Sequence, residues 1–330
     1  MVDEVAKGIY RIKVRLQGSP LGNLNSYYIK GIDEDYLVDT GFNMPQCYED
    51  LSEGLKKIGA NIDRISILNT HMHADHTGQN DKFRGQGRHV YLNEHDFWWQ
   101  SQWAKNVKRI RAERDILEGA SQEYIDLMSR ESPSAKYRSS DQAGIIVPYH
   151  NGDIFEAKYH KIEVVEVPGH TVGNSMFWIE KEGIMLTGDH ILFDITPNIT
   201  AWPGKDDMLG WYLDSLRRCK EYPVKQACPG HREPGNYHER IDTIIAHHRE
   251  RLTEVMNIIG NSEKPLNAYE ITKLMKWSIH MNPDGSFPPV QFWFAAGECL
   301  SHIDRLLAED KIVRIDPHDN NNYRTYILKN

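Results

Sequence analysis

Residues 67–79 read ILNTHMHADHTGQ, and this stretch places four metal-capable side chains within six positions. Residues 65–70 are apolar and β-branched enough for a buried strand, so these side chains follow its end in a loop. The histidines at alternate positions can point to one cation, and the acidic residue with the last histidine can point to a second. The sequence therefore predicts a dinuclear metal centre, with a metal-free surface turn as the alternative. The four residues are His71, His73, Asp75 and His76.

Imidazole and carboxylate ligands suit zinc, with manganese and iron as alternatives. Three later loops each offer one more such ligand, directly after an apolar, strand-like run. They are VEVPGHT (165–171) with His170, IMLTGDHILF (184–193) with Asp189, and QACPGHREP (226–234) with His231. Together they give the order HxHxDH, H, D, H, which resembles the metallo-β-lactamase-fold hydrolase superfamily. The segment VDTGF (38–42), with Asp39, resembles a motif that this family carries early in its chain. The resemblance covers roughly residues 8–240.

The resemblance implies an α/β fold, a four-layer αββα sandwich with two divalent ions at one edge. It assigns one ion to His71, His73 and His170, the other to Asp75, His76 and His231, and makes Asp189 a bridge between them. A hydroxide held between the ions would then attack a carbonyl or phosphoryl centre. Asp75 and Asp189 are the carboxylates that we expect to take part in catalysis.

Other polar residues near these motifs have weaker assignments. Asp39 is expected to orient a metal ligand or its loop, with a plain turn residue as the alternative. His190 either faces the pocket or, as the neighbour of Asp189 in an extended segment, points away from it. Cys228 is an alternative thiolate ligand. The histidines in polar helical or loop sequence are expected at the surface or at helix caps: His95, His247, His248, His280 and His302.

The composition is that of a water-soluble enzyme. The chain has 330 residues, of which 40% are hydrophobic and 26% are charged, enough for a sizeable core and for more than one small domain. The net charge of −8 argues against nucleic acid as the main partner. The four cysteines show no CxxC spacing and are interpreted as reduced thiols. Without a long apolar segment or a leader-like start, we expect a cytoplasmic protein and no membrane partner.

Two regions depart from the α/β pattern. Residues 97–147 are charged and helix-prone, and we interpret them as a helical insertion in a catalytic domain that spans residues 1–240. Its apolar side chains keep helical spacing, so one face is expected to cover the core or to form a wall of the substrate pocket. These side chains are Trp99, Trp103, Val107 and Ile110.

Residues 241–330 have the order helix, helix, helix, hairpin, which resembles the winged-helix-like tail of a subset of the superfamily. That subset includes fungal polyketide thioesterases and mitochondrial β-lactamase-like ribonucleases. The expected recognition helix, Gly297–Glu309, carries three carboxylates and one arginine, so phosphate repulsion opposes DNA binding. Aromatic side chains between Phe287 and Phe294 are expected to be buried where the tail meets the catalytic domain, or to line the pocket.

The ligand set excludes several reactions of the superfamily. A bridging Asp189 is unlike the true β-lactamases, His73 stands where flavodiiron oxidoreductases place a glutamate, and the large insertion of the β-CASP nucleases is absent. Hydrolysis of an ester or thioester, with a small acyl conjugate such as an acyl-CoA as substrate, is the leading prediction. The alternatives are cleavage of RNA or another phosphodiester, a lactonase, and a non-catalytic metal-bearing binding protein. A homodimer is a further expectation.

Overall fold

The computed structural model describes residues 1–102, 106–137, 146–278, 281–319 and 321–329. The chain divides into two compact units. Unit 1 contains Met1–Ser101, Pro133–Pro197 and Arg217–Ile241, and unit 2 contains Gln102–Ser132, Asn198–Leu216 and Asp242–Asn330. The chain changes unit close to the predicted division at residue 240. Unit 2 also includes residues 102–132 and 198–216, which the sequence analysis assigned to the first domain.

The larger sheet of unit 1 has seven strands, which lie side by side in chain order. Along this order the first three pairs of neighbouring strands are antiparallel, and the last three pairs are parallel. The strands are β1 Val2–Ala6, β2 Ile9–Arg15, β3 Asn23–Ile29, β4 Asp35–Val38, β5 Ile65–Leu68, β6 Val90–Asn93 and β7 Ile146–Tyr149.

The second sheet has five strands in the order β12, β11, β10, β9, β8. Neighbouring strands are antiparallel, except that β11 and β12 are parallel. Its strands are β8 Ile154–Glu156, β9 Lys161–Glu166, β10 Ser175–Ile179, β11 Ile184–Gly188 and β12 Gln226–Pro229.

The main core of unit 1 lies between the two sheets. Val38 and Leu68 of the first sheet belong to one buried cluster with Phe177 and Leu186 of the second. The other face of the first sheet is covered by α1, Pro45–Lys57, whose Leu51 and Leu55 are in a second cluster. Proline suits the first turn of this helix, because the backbone there needs no N–H donor. Two facing sheets with a helix outside confirm the predicted α/β fold class.

Shorter helices of unit 1 connect the strands. They are the 3-10 turn Ile62–Arg64, α2 Ala74–Thr77, α3 Asn80–Phe83, α4 Glu94–Gln102 and α7 Pro133–Lys136. The α4 helix reaches the first residue of unit 2.

Unit 2 is helical, with one two-stranded hairpin. Two of its helices begin or end in unit 1. The elements are α5 Lys108–Leu117, α6 Gln122–Glu131, α8 Met208–Cys219, α9 Tyr237–Gly260, α10 Ala268–Leu274, α11 Pro289–Ala308, β13 Ile312–Ile315 and β14 Thr325–Leu328. Beyond residue 240 their order is the predicted helix, helix, helix, hairpin; a winged-helix assignment stays a prediction.

The inserted helices share their core with the C-terminal segment inside unit 2. Arg114 of α5 donates to Asp304 of α11 at 2.6 Å, and the hydroxyl of Tyr326 in β14 donates to Glu118 at 2.7 Å. A buried cluster contains Ala120 beside Phe292. Residues 102–132 of the insertion are therefore a structural part of unit 2.

The apolar stripe of the insertion is only partly buried. Trp99 and Val107 are buried, whereas Ile110 is 41% exposed. Trp103 lies outside the described residues. One face of this segment therefore packs on protein as predicted, but Ile110 does not belong to that face. A substrate-pocket wall built from this segment stays a prediction.

One expectation about unit 2 is wrong. His248 and His302, expected at the surface, are both 0% exposed, with His248 Nδ1 and His302 Nε2 3.1 Å apart. They lie on the inner faces of α9 and α11, which local polarity did not reveal. In the aromatic segment Phe292 is buried, whereas Phe294 is 38% exposed, and a place for this segment in the pocket lining stays a prediction.

The remaining histidines have mixed outcomes. His95 is exposed, as expected, and His247 is half-buried. His280 lies outside the described residues. Within the described part of the chain, no helix is both long and apolar enough to cross a membrane.

Candidate metal centre

The seven predicted ligands come from loops that follow four strands of unit 1. The HxHxDH segment follows β5 and continues into α2, while the loops after β9, β11 and β12 supply one side chain each. The structure gathers them into two groups, and within each group the nearest ligand atoms all lie within 4.8 Å of one another. The first group is His71, His73 and His170, and the second is Asp75, His76, Asp189 and His231.

The first group consists of three imidazoles. His71 Nε2 and His73 Nδ1 are 3.0 Å apart, and the His170 ring centroid lies 4.8 Å from that of His71 and 4.6 Å from that of His73. The hydroxyl of Thr70 contacts His71 Nδ1 at 3.0 Å. His73 is half-buried while His71 is fully buried, so solvent reaches the group from the His73 side.

The second group combines two imidazoles with two carboxylates. His231 Nε2 lies 3.3 Å from Asp75 Oδ2 and 3.4 Å from Asp189 Oδ2. His76 Nε2 lies 3.5 Å from Asp189 Oδ1. His76 and His231 are 0% exposed, so their nitrogens cannot be satisfied by bulk water.

The other nitrogen of each imidazole in this group is bound to an acceptor. His76 Nδ1 is 2.7 Å from the carboxylate of Asp39, and His231 Nδ1 is 2.8 Å from the carbonyl of Asn23. Both Nδ1 atoms must therefore donate, which leaves the two Nε2 atoms, 3.3 Å apart, as the positions that bind a proton or a metal ion. Two lone pairs at that distance repel unless a cation or a proton lies between them. The donor set thus fits a metal ion.

Asp39 does more than form a turn. Its carboxylate also accepts from the backbone N–H of Thr70 at 2.9 Å and from the hydroxyl of Thr70 at 2.8 Å. Its φ of 59° lies in the left-handed region, which an aspartate tolerates better than most side chains. Asp39 therefore orients His76 and the loop after β5, which confirms the first of its two predicted roles.

Asp189 is the residue that links the two groups. Its Oδ2 lies 3.8 Å from His170 Nε2 in the first group and 3.4 Å from His231 Nε2 in the second. Its Oδ1 is buried and accepts no hydrogen bond from the described residues. A buried carboxylate oxygen without a donor is costly, and a cation removes that cost. Gly230 permits this approach, because a Cβ there would lie 2.7 Å from Asp189 Oδ1.

The two groups titrate in opposite directions. Burial, and then the neighbouring imidazoles, lower the pKa of His71 well below its usual value and that of His73 to about 3. In the second group burial also disfavours the charged imidazoles, but nearby carboxylates outweigh it. The pKa of His231 rises to about 10, and that of His76 rises well above its usual value. The pKa of Asp189 falls well below the usual range, since the charges of His231 and His76 overcome its burial.

Two neighbouring residues stay outside both groups. His190 is 0% exposed, and burial, with the charges of His170 and Arg218, lowers its pKa to about 3, so this internal imidazole favours the neutral form. Burial raises the pKa of the Cys228 thiol to about 12. Cys228 belongs to neither group of ligand atoms.

One residue at this edge of the sheet was missed by the sequence analysis. Asp96, in the first turn of α4, is fully buried and accepts hydrogen bonds from two of the ligand-bearing loops. Burial raises its pKa to about 6 against the effect of those bonds. Its signal in the sequence, one acidic residue among several after β6, is too weak to identify it.

Comparison with known proteins assigns the family. Residues 20–231 match the model of the metallo-beta-lactamase superfamily, and this segment contains all seven candidate ligands. The chain belongs to this superfamily. A protein named "Probable metallo-hydrolase YqjP" from Bacillus subtilis is 25% identical over 312 residues, covering 88% of this chain and 90% of that protein.

Further relatives and solved structures extend the comparison. An "Atrochrysone carboxyl ACP thioesterase" of Emericella nidulans is 26% identical over 220 residues, which cover 66% of this chain and 54% of that protein. A crystal structure of a metallo-beta-lactamase family protein from Thermus thermophilus has a TM-score of 0.81 and 25% identity, covering 98% of this chain and all of the other. A beta-lactamase domain protein from Burkholderia ambifaria has a TM-score of 0.84 at 22% identity, over 99% and 94% of the two chains, and shares the fold.

Proposed function

We propose that this protein is a dinuclear-metal-dependent hydrolase that cleaves an ester or thioester bond of a small acyl conjugate. The observation that carries the proposal is the pair of ligand groups joined by Asp189, whose Oδ2 lies within 4 Å of an imidazole in each group. Zinc suits the imidazole-rich set, with manganese and iron as alternatives. When bound, two such ions polarise a substrate carbonyl and lower the pKa of water toward neutrality.

The chain's own residues prepare the site for this chemistry. His71, His73 and His170 would hold the first ion, and Asp75, His76 and His231 the second, with Asp189 shared. The carboxylate of Asp39 lies 2.7 Å from His76 Nδ1 and accepts its proton in a hydrogen bond. This holds His76 in the tautomer whose Nε2 faces the metal site. Two buried carboxylates, Asp75 and Asp189, balance the charge of the ions, and we propose these as catalytic carboxylates. No serine or cysteine nucleophile is required, because water is the nucleophile.

Support for an acyl substrate comes from relatives and from charge. The chain is similar to proteins named for hydrolysis of a carrier-bound thioester, at identities of 22–26%. A phosphodiesterase or ribonuclease is the alternative, since a metal pair also promotes in-line displacement. The acidic helix α11 disfavours nucleic acid: Arg305, its one arginine, is paired with Asp207 and Glu309, both at 2.8 Å. A lactonase, a cytoplasmic location and a homodimer also stay predictions.

The proposal is tested by metal content together with a substrate panel. Protein loaded with zinc, manganese or iron should hold about two ions per chain, and His231→Ala should lower this to about one. The panel contains a p-nitrophenyl ester, an acyl-CoA, a lactone, bis-p-nitrophenyl phosphate and short single-stranded RNA. Ester and thioester should be hydrolysed fastest.

Two results would count against the proposal. One ion at saturation, unchanged by His231→Ala, contradicts the dinuclear centre. Faster cleavage of the phosphodiester or RNA, with salt-sensitive RNA binding, contradicts the acyl substrate and favours the nuclease.

A further inference from the structure

A buried carboxylate outside both metal groups joins two ligand-bearing loops of unit 1. Asp96 Oδ2 accepts hydrogen bonds from the backbone N–H of Met72 at 2.9 Å and from the hydroxyl of Thr171 at 2.7 Å. Its Oδ1 accepts from the backbone N–H of Gly173 at 2.7 Å. Three donors from two separate loops thus converge on one side chain that is 0% exposed.

The bonded groups lie next to the ligands of the first metal group. Met72 separates His71 from His73, so anchoring its N–H restrains the backbone on both sides. Thr171 directly follows His170. The one carboxylate therefore connects the peptide that carries two imidazoles of the first group to the peptide that carries the third.

The surroundings are built for this contact. A Cβ on Gly173 would lie 2.7 Å from the backbone nitrogen of Asp96 and 2.5 Å from Asn93 Oδ1, so any larger residue would push the His170 loop away from α4. The first turn of a helix favours a negative charge through its dipole. Burying a carboxylate is costly unless it is fully hydrogen-bonded, and the three donors meet that requirement.

The first group has a particular need for such support. Its three members are imidazoles, whereas the second group contains Asp75 and Asp189 and is further held by Asp39. We propose that Asp96 is a positioning residue for the first metal ion: it fixes the separation of the two loops and thereby holds His71, His73 and His170 at binding distance. This inference rests on the metal centre of the proposed function.

The first variant is Asp96→Asn, which keeps the size of the side chain. Its single carbonyl oxygen can serve Met72 and Thr171, but its amide group then opposes the N–H of Gly173, so two donors face each other. Co²⁺ is titrated into the metal-free protein, and binding is followed by visible absorption. The affinity of the first site for Co²⁺ should fall about 10–100-fold, as it does when other residues that orient metal ligands are replaced. The second site should change less than about threefold. His73→Ala and His231→Ala identify the spectrum of each site.

A second pair of variants removes one bond without touching the carboxylate. Thr171→Val deletes the hydroxyl at nearly constant volume, and Thr171→Ser keeps it. Thr171→Val should weaken the first site, and Thr171→Ser should restore wild-type affinity, a difference that a general packing defect would not produce. Glu94→Gln is the matched control, because it removes a carboxylate from the same turn of α4 at an exposed position.

The outcomes separate this inference from the proposed function. If wild-type protein binds no Co²⁺ at the His71 group, the metal centre itself is wrong. If wild-type protein binds two ions and both Asp96→Asn and Thr171→Val bind them equally well, only the positioning role is wrong. If Asp96→Asn does not fold, judged by circular dichroism, the comparison of Thr171→Val with Thr171→Ser decides.

Discussion

The two halves of the metal centre are built from similar ligands, yet their protonation differs. In the group of His71, His73 and His170, burial and then the neighbouring imidazoles lower the pKa of His71 and His73, so these two favour the neutral form. In the other group the carboxylates of Asp75 and Asp189 surround His76 and His231, which then favour the protonated form. The first half is thus a cluster of imidazoles in which His71 and His73 favour the neutral form, and the second half is a set of ion pairs. We expect this difference to have measurable consequences, from a large loss of activity to a small change in stability.

Replacing the shared carboxylate should have the largest effect. Asp189→Asn removes the charge that both halves contact, so hydrolysis should fall by about 10²-fold or more while the fold survives. Steady-state kcat and metal content measure the change. Asp194→Asn, an exposed position in the same loop, is the control and should match wild type. Near-wild-type turnover of Asp189→Asn would mean that the two halves act independently.

Loss of an orienting carboxylate should affect one half only. In Asp39→Asn the backbone conformation is tolerated, because asparagine also adopts the left-handed region. The amide no longer accepts from His76 as a carboxylate does, so affinity for the second ion should fall about 10–100-fold, with the first little changed. Stepwise Co²⁺ titration measures both, with the exposed Asp33→Asn as control. Equal loss at both sites would remove the distinction between the halves.

The pH dependence of metal binding should also differ between the halves. The pKa of His231 is about 10 without metal, so the second ion must displace a proton, and its affinity should rise about tenfold per pH unit per proton displaced. The pKa of His73 is about 3 and that of His71 is also lowered, so these two ligands release no proton to the first ion at neutral pH, and its affinity should change less with pH. Titration calorimetry in buffers of different ionisation enthalpy counts the protons. Identical slopes would contradict the assigned contrast.

The smallest effect is expected in unit 2, whose buried imidazoles lie outside both ligand groups. Burial lowers the pKa of His302 to about 3, although a backbone hydrogen bond acts in the opposite direction. This is below the value of about 6.5 in the unfolded chain. The unfolded chain therefore binds the proton first, and stability is lost as pH falls below about 6.5 toward about 3. His302→Gln should reduce the slope of the free energy of unfolding against pH by about 1 kcal/mol per pH unit in this range. Urea unfolding at a series of pH values measures it, with exposed His95→Gln as control.

Most of the candidate site could be predicted because its ligands follow strands in short motifs. His71 and His73 alternate in one segment, and each further ligand directly follows an apolar run, so local sequence already places them at strand ends. The α/β class could be predicted because strand-like runs alternate with an amphipathic helix, whereas the sandwich arrangement followed only from the resemblance to the family. Asp96 could not, because its role depends on contacts with Met72 and Thr171, which are 24 and 75 residues away.

Unit 2 shows the limit of local patterns more clearly. His248 and His302 stand in polar helical sequence, and only the pairing of α9 with α11 buries both. Similarly, nothing local joins residues 102–132 to the C-terminal segment, although Arg114 and Asp304 form an ion pair of 2.6 Å across 190 residues.

The sequence by itself determined which side chains are available for metal binding, their order along the chain and the fold class, because ligand chemistry and strand periodicity are local properties. Only the tertiary structure decided which carboxylate orients which imidazole, why His73 loses its proton while His231 retains one, and which helices share a core with the C-terminal segment. These outcomes depend on burial and on distances between residues remote in the chain. Burial and neighbouring charge shift a pKa by several units, and no spacing of residues along the sequence specifies either quantity.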